Sequence, residues 1–144
     1  MPHSTALTHI ILFINICSVL TFTACNKEEG YASVKIKGQV NDILNHPINQ
    51  LLVTITNKEN DKIDQFRIDD TSGKFERIYL FETPQDITYV IEVKDTDGEM
   101  NGGKFESQTK ILSISKFDYV KQQSQLAIHR IAEKEVLFVL EYKD

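Results

Sequence analysis

The chain has 144 residues, room for one domain and not comfortably two. It is 41% hydrophobic and 26% charged with 6 Gly, 3 Pro and no Trp, which excludes collagen-like and Pro/Gly-rich disordered chains. Acidic residues number 21 against 16 basic ones, a net charge of -5, so no nucleic-acid partner is expected, because binding phosphates needs a basic face.

Residues 1–24 contain no Asp, Glu, Lys or Arg, and Ile10–Phe22 is an almost unbroken apolar run. At 1.5 Å per residue such a run makes roughly 20 Å of helix, short of the ~30 Å of a bilayer core. That length fits the apolar part of a signal peptide better than a membrane span. The run closes on Phe22-Thr23-Ala24-Cys25, and charge begins at once with Asn26-Lys27-Glu28-Glu29-Gly30. A cysteine directly after small residues resembles a bacterial lipobox, with Phe22 in place of the usual Leu and no basic residue ahead of the run. The resemblance implies that Cys25 is lipidated, with palmitate-like chains, and becomes the first residue of the mature protein. Cys17 would leave with the signal peptide, so the mature domain would hold no free thiol and no disulfide. Two or more acyl chains give stable anchoring where one does not. The alternative is a buried apolar N-terminal element with Cys25 a buried thiol.

Lys27, Glu28 and Glu29 resemble the Lys-acidic-acidic export signal of surface-exposed lipoproteins in one group of Gram-negative bacteria. Otherwise they are a polar, flexible tether. The expected layout is a signal peptide over 1–24, a lipidated cysteine and tether over 25–31, and a folded domain over 32–144. The expected location is the bacterial outer membrane, at the cell surface or otherwise facing the periplasm.

From Tyr31 onward the hydrophobic period is two. Ala32, Val34, Ile36, Gly38 and Val40 alternate with polar residues, which predicts a half-buried strand. Asn41–Pro47 reads as a turn and Gln50–Asn57 as a second strand. Lys58–Lys62 is a charged hairpin tip, and Ile63–Ile68 a third strand suited to an edge. Asp69–Lys74 is a turn with Gly73 at positive φ. Phe75–Leu80 is a fourth strand and Phe81–Asp86, with Pro84, a crossover. Ile87–Lys94 is the most apolar strand and is expected at the centre of a sheet. Asp95–Gly103 is a loop with three glycines. Lys104–Ser115 reads as a strand bulged near Gln108, and Glu135–Tyr142 as the last strand. Lys116–Lys134 allows two readings: a helical turn around Val120–Leu126, or a loop followed by a short strand at Leu126–Ile131. Seven to eight short strands and no long amphipathic helix predict an all-β, antiparallel Greek-key β-sandwich, transthyretin-like or immunoglobulin-like.

Two stretches resemble known families. Gly38-Gln39-Val40, Pro47-Ile48, Val53-Thr54-Ile55 and Asp70–Phe75 resemble, in order, the carboxypeptidase-regulatory-like, transthyretin-like domain. That resemblance implies a sandwich acting as an accessory or binding module. Val93–Ser107, with its Asp-x-Asp-Gly-x-x-Asn-Gly-Gly loop, resembles the radical SAM-associated lipoproteins. This second resemblance implies that a radical SAM maturase acts on or with the protein.

Candidate chemistry concentrates in the same loop. Asp95, Asp97, Glu99 and Asn101 put hard oxygen ligands at alternate positions, the pattern that Ca²⁺ takes. No EF-hand Glu sits at the twelfth position, and Asp-Gly and Asn-Gly are also common turn dipeptides, so calcium ligation and a plain turn both stand. His46 and His129 are the histidines of the mature chain, too few for a zinc site without further ligands. A metal-dependent hydrolase built on Asp95, Asp97 and His129 is a remote alternative. No nucleophile elbow, mature thiol or phosphate-cradling loop is present. The expected function is therefore that of a non-enzymatic, lipid-anchored envelope lipoprotein. Its expected partners are the membrane and an unidentified protein or glycan. The alternative is a substrate of the maturase.

Overall fold

The computed structural model describes residues 31–100, 103–123 and 128–143. The signal peptide, Cys25, Lys27, Glu28, Glu29 and Asn101 lie outside these residues. Among the described residues there are eight strands: β1 Ala32–Asp42, β2 Leu52–Asn57, β3 Ile63–Arg67, β4 Lys74–Phe81, β5 Ile87–Lys94, β6 Gln108–Ile114, β7 Val120–Gln123 and β8 Ile128–Leu140. They form two four-stranded sheets, β4-β1-β8-β7 and β3-β2-β5-β6. This is the β-sandwich that the alternation predicts. β5 is central in its sheet and β3 lies at an edge, as their compositions require.

The core is the set of inward positions from both sheets. Val34, Ile36 and Val40 of β1 meet Val53 and Ile55 of β2, and Ile87, Tyr89, Ile91 and Val93 of β5, all buried. The β4 and β3 edges close over one another through a polar clasp. Arg77 Nε lies 3.3 Å from Asp64 Oδ2, its guanidinium stands 3.4 Å above the Phe66 ring, and Tyr79 Oη donates to Asp64 at 2.9 Å. The opposite side closes where β6 side chains reach the β8 backbone. Lys110 Nζ donates to Leu137 O at 2.5 Å, and Gln108 exchanges two bonds with Val139.

The structure differs from the expectation in four places. The sandwich is not wholly antiparallel, because β1 and β8 run parallel along their whole shared length. Parallel neighbours need a long crossover, and here the rest of the domain lies between them. The sixth strand is shorter than Lys104–Ser115. Residues 104–107 leave β5 and meet the C-terminal segment instead, through a Phe105–Tyr142 bridge and the bonds Glu106 N to Glu141 O and Lys143 N to Lys104 O, both 2.9 Å. The last strand starts at Ile128, seven residues before Glu135. Its inward positions there are Ala132 and Lys134, and Lys134 pairs with Asp118 at 3.0 Å, so no apolar stripe marks it. Finally, the ambiguous segment holds a strand, Val120–Gln123, where the two readings put a helical turn or a loop, while the short strand of the second reading, Leu126–Ile131, coincides with the start of β8 over residues 128–131. A 3-10 turn, Lys116–Asp118, carries a capping box between Ser115 and Asp118 and leads into β7.

Candidate functional site

One end of the sandwich gathers the turn after β1, the turn before β4, the long loop after β5 and the C-terminal segment. β1 delivers Asp42 to this end. The residue continues the inward phase of Ala32 to Val40, so a carboxylate occupies a core position and is only 4% exposed. Burial of a charge requires partners, and Asp42 has four. Oδ1 accepts from Leu44 N (2.8 Å) and His46 N (2.7 Å). Oδ2 meets Tyr142 Oη at 3.0 Å and His46 Nδ1 at 3.2 Å. Asn45, at φ 66°, lets the chain fold over the carboxylate. Burial pushes the Asp42 carboxyl up, but the His46 N–H, the Tyr142 hydroxyl, the His46 ring and the Leu44 N–H together hold it below the ordinary carboxylate range. The same contact holds the Tyr142 phenol above its usual value.

Tyr142 links this knot to the long loop. Its ring lies 4.9 Å from that of Phe105, and a Cβ on Gly103 (φ 137°) would come within 3.0 Å of it. Phe105 N in turn donates to Asp95 Oδ2 at 3.0 Å. Asp95 Oδ1 accepts from Asp97 N (3.1 Å) and Gly98 N (3.3 Å). Asp95 thus folds its own loop, the role of an Asp-initiated turn. Glu99 is exposed and lies 3.7 Å from Lys104 Nζ. Among the described residues no group of three or more His, Cys, Asp or Glu is placed to hold a metal ion.

Asp95 and Asp97 share a hydrogen bond. For Asp95, burial raises the carboxyl, and the bond to Asp97 with the N–H donors of Phe105, Asp97 and Gly98 outweighs it, so it lies low. For Asp97, burial, that shared bond and the neighbouring charge hold the carboxyl above the ordinary range. A raised carboxyl favours the fold while protonated, and this contribution is lost as pH rises through the folded value. Asp97→Asn is therefore expected to raise the melting temperature at neutral pH by about 2–4 °C and to change little near pH 3. A melting temperature at neutral pH equal to or below that of the wild type would refute the assignment. Calcium added to the wild type is a parallel test of the loop's oxygens as ligands, read by the same melting curve.

The structure does not assemble the hydrolase alternative. His129 sits near the start of β8, opposite Gln122, whereas Asp95 and Asp97 lie beyond the other end of that strand. His46 is the histidine that acquires a carboxylate, with its side chain 72% exposed. Sequence reasoning missed the Asp42, His46 and Tyr142 cluster. The one local signal for it was an acid on the inward phase of the first strand.

A second feature lies on the outer face of the first sheet. Lys35 Nζ is 3.3 Å from Glu76, and Lys37 bonds Glu133, so opposite charges cross from β4 through β1 to β8. Above them opens a depression of about 650 Å³ lined by Lys37, Gln39, Lys74, Glu76, Glu135 and Leu137, among others. It is a broad, mixed-charge surface and gathers no nucleophile and base.

Comparison with known proteins adds nothing to the fold described above. No protein family and no curated protein matches the sequence. Among solved structures, the chain is similar to 3-chlorocatechol 1,2-dioxygenase from Rhodococcus opacus 1CP, at 13% identity over 83% of this chain and 63% of that one, with a TM-score of 0.46. It is also similar to a C-terminal fragment of the pilus adhesin SpaC from Lactobacillus rhamnosus GG, at 16% identity over 75% and 47%, with a TM-score of 0.37. The chain spans less than two thirds of the length of either.

Proposed function

We propose that the protein is a non-enzymatic, lipid-anchored lipoprotein of the bacterial outer membrane, exposed at the cell surface, whose sandwich is a binding or structural module. The observation that carries this reading is the course of β1. The strand begins at Ala32, next to the tether that follows Cys25, and its 11 residues end at Asp42. At about 3.3 Å per residue it takes the chain roughly 35 Å from the strand's own start to the other end of the sandwich. On this reading the long loop and the Asp42 knot lie at the end of the sandwich opposite the one where the chain enters from the anchor. The polar groups there are bonded to one another and not arranged around a reacting atom, which supports recognition over catalysis.

Cys25→Ser is expected to move the protein from the membrane to the soluble fraction with its melting temperature unchanged. A variant that still sediments with membranes would overturn the anchor. Protease added to intact cells should remove the domain. Protection until the outer membrane is permeabilised would place it on the periplasmic side.

The alternative, a substrate of a radical SAM maturase, is favoured by the exposure of Glu99 and Met100 in the loop that carries the resemblance. An unmodified mass for the native peptide spanning 95–104 would remove that loop as the target.

A further inference from the structure

Five bulky apolar side chains stand in solvent at the end where the chain enters the sandwich. Tyr31, Ile63, Leu80, Phe117 and Val120 range from 62% exposed at Tyr31 to 85% at Phe117. Register and chain order place them at this end. Leu80, Ser33, Ile131 and Val120 form one row across the outer face of the first sheet, one rung from the start of β1. Tyr31 precedes that strand, and its carbonyl accepts from Arg130 N at 3.0 Å. Phe117 rides on the 3-10 turn that leads into β7. Ile63 opens β3 at the same end, on the outer face of the second sheet, and is exposed there. Single exposed apolar residues need no explanation. Five around one end, Leu80 and Val120 on the outer face of the first sheet and Ile63 on that of the second, together expose apolar surface on the order of a few hundred Å², comparable in total to a contact site.

We infer that this collar rests on the bilayer surface, as a second contact beside the lipid on Cys25. The inference depends on the anchored reading above. Tyr31 is six residues from Cys25, a reach of at most ~20 Å, so an anchored chain holds the collar at the interface. Tyr31 and Phe117 are side chains suited to the boundary between headgroups and acyl chains. Acidic and basic residues alternate around the collar, as in Lys58-Glu59-Asn60-Asp61-Lys62, so the contact is apolar and only weakly dependent on salt. It would fix the tilt of the sandwich and hold the Asp42 end outward.

The chain has no tryptophan, so one introduced indole reports one position. The lipidated full-length protein carrying F117W, and separately L80W, is bound to phosphatidylethanolamine and phosphatidylglycerol vesicles with brominated acyl chains. L44W, at an exposed position of the opposite end, is the control. Vesicle-bound F117W and L80W are expected to be quenched roughly threefold more than L44W, as shallow insertion requires. Equal quenching of all three on protein that sediments with the vesicles overturns the collar and leaves the anchor standing. Lipidated protein that fails to sediment refutes the anchored reading, and the collar falls with it. A blue-shifted F117W emission from the Cys25→Ser variant without vesicles shows the collar covered by the chain itself and also overturns the inference.

Discussion

Gly38→Val is expected to leave little folded protein at room temperature. Gly38 pairs directly with Phe75 between β1 and β4. A Cβ at Gly38 would lie 2.0 Å from two atoms of the Phe75 ring, so the ring rests on the bare α-carbon. An aromatic side chain over a glycine on the neighbouring strand fills the gap that the glycine leaves. Phe75 cannot easily retreat, being buried with its ring edge-on to Phe66 at 5.5 Å. Overpacking usually costs about 1–3 kcal/mol, which sets the expectation for Gly38→Ala, and valine should exceed it. Against a typical total of about 5–15 kcal/mol the valine variant approaches the limit. Strand propensity alone predicts the opposite sign, since alanine and valine both favour a strand over glycine. Urea unfolding decides between them. Phe75→Leu in the Gly38→Ala background should recover part of the loss, whereas Phe75→Leu alone should destabilise. An unchanged midpoint for Gly38→Ala would contradict the packing described.

Asp42→Ala is expected to lower the melting temperature by roughly 10 °C. The substitution strands the N–H groups of Leu44 and His46 and the Tyr142 hydroxyl, all now bonded to one carboxylate. A buried group left unpaired costs its full desolvation penalty, more than a hydrogen bond is worth on average. Asp42→Asn should lose about half as much, because its amide oxygen still accepts from both N–H groups and its amide nitrogen can donate to Tyr142. The pH dependence has a definite sign. Asp42 and Asp95 lie below the ordinary carboxylate range for the reasons given. Asp70 is held there by the Ser72 N–H, Asp118 by the Ser115 N–H and Glu133 by its bond to Lys37. Such groups stabilise the fold above their unfolded values, near pH 4, and the contribution is lost as pH falls through the folded values. Asp42→Ala should therefore flatten the acid limb as well as lower the plateau at neutral pH. Equal melting temperatures for variant and wild type would show that the knot does not hold the end of the sandwich together.

The elements were legible where one face is apolar and the other wet. Ala32–Val40 announces its inward side residue by residue, Gly38 included, and the β5 run ITYVIEVK announces its central place. Partners and direction were not legible, because a period of two says nothing about which strand lies alongside or which way it runs. The parallel β1–β8 pair is of this kind. So is the departure of residues 104–107 toward Tyr142, which no local pattern records. The short strand that one reading put at Leu126–Ile131 overlaps the start of β8, but its continuity with Glu135 was hidden by Ala132 and by Lys134, an inward lysine whose partner, Asp118, belongs to the preceding segment. In the candidate site, the Asp95 turn was visible as a dipeptide signal. The Asp42–Tyr142 contact joins residues 100 positions apart, and only the fold brings them together.

The account depends most on Cys25, and the intact mass of the protein extracted from native membranes tests it directly. The expected species begins at Cys25 and carries a diacylglyceryl group on its sulfur. A species that retains residues 1–24, or one with an unmodified thiol at Cys25, would contradict it.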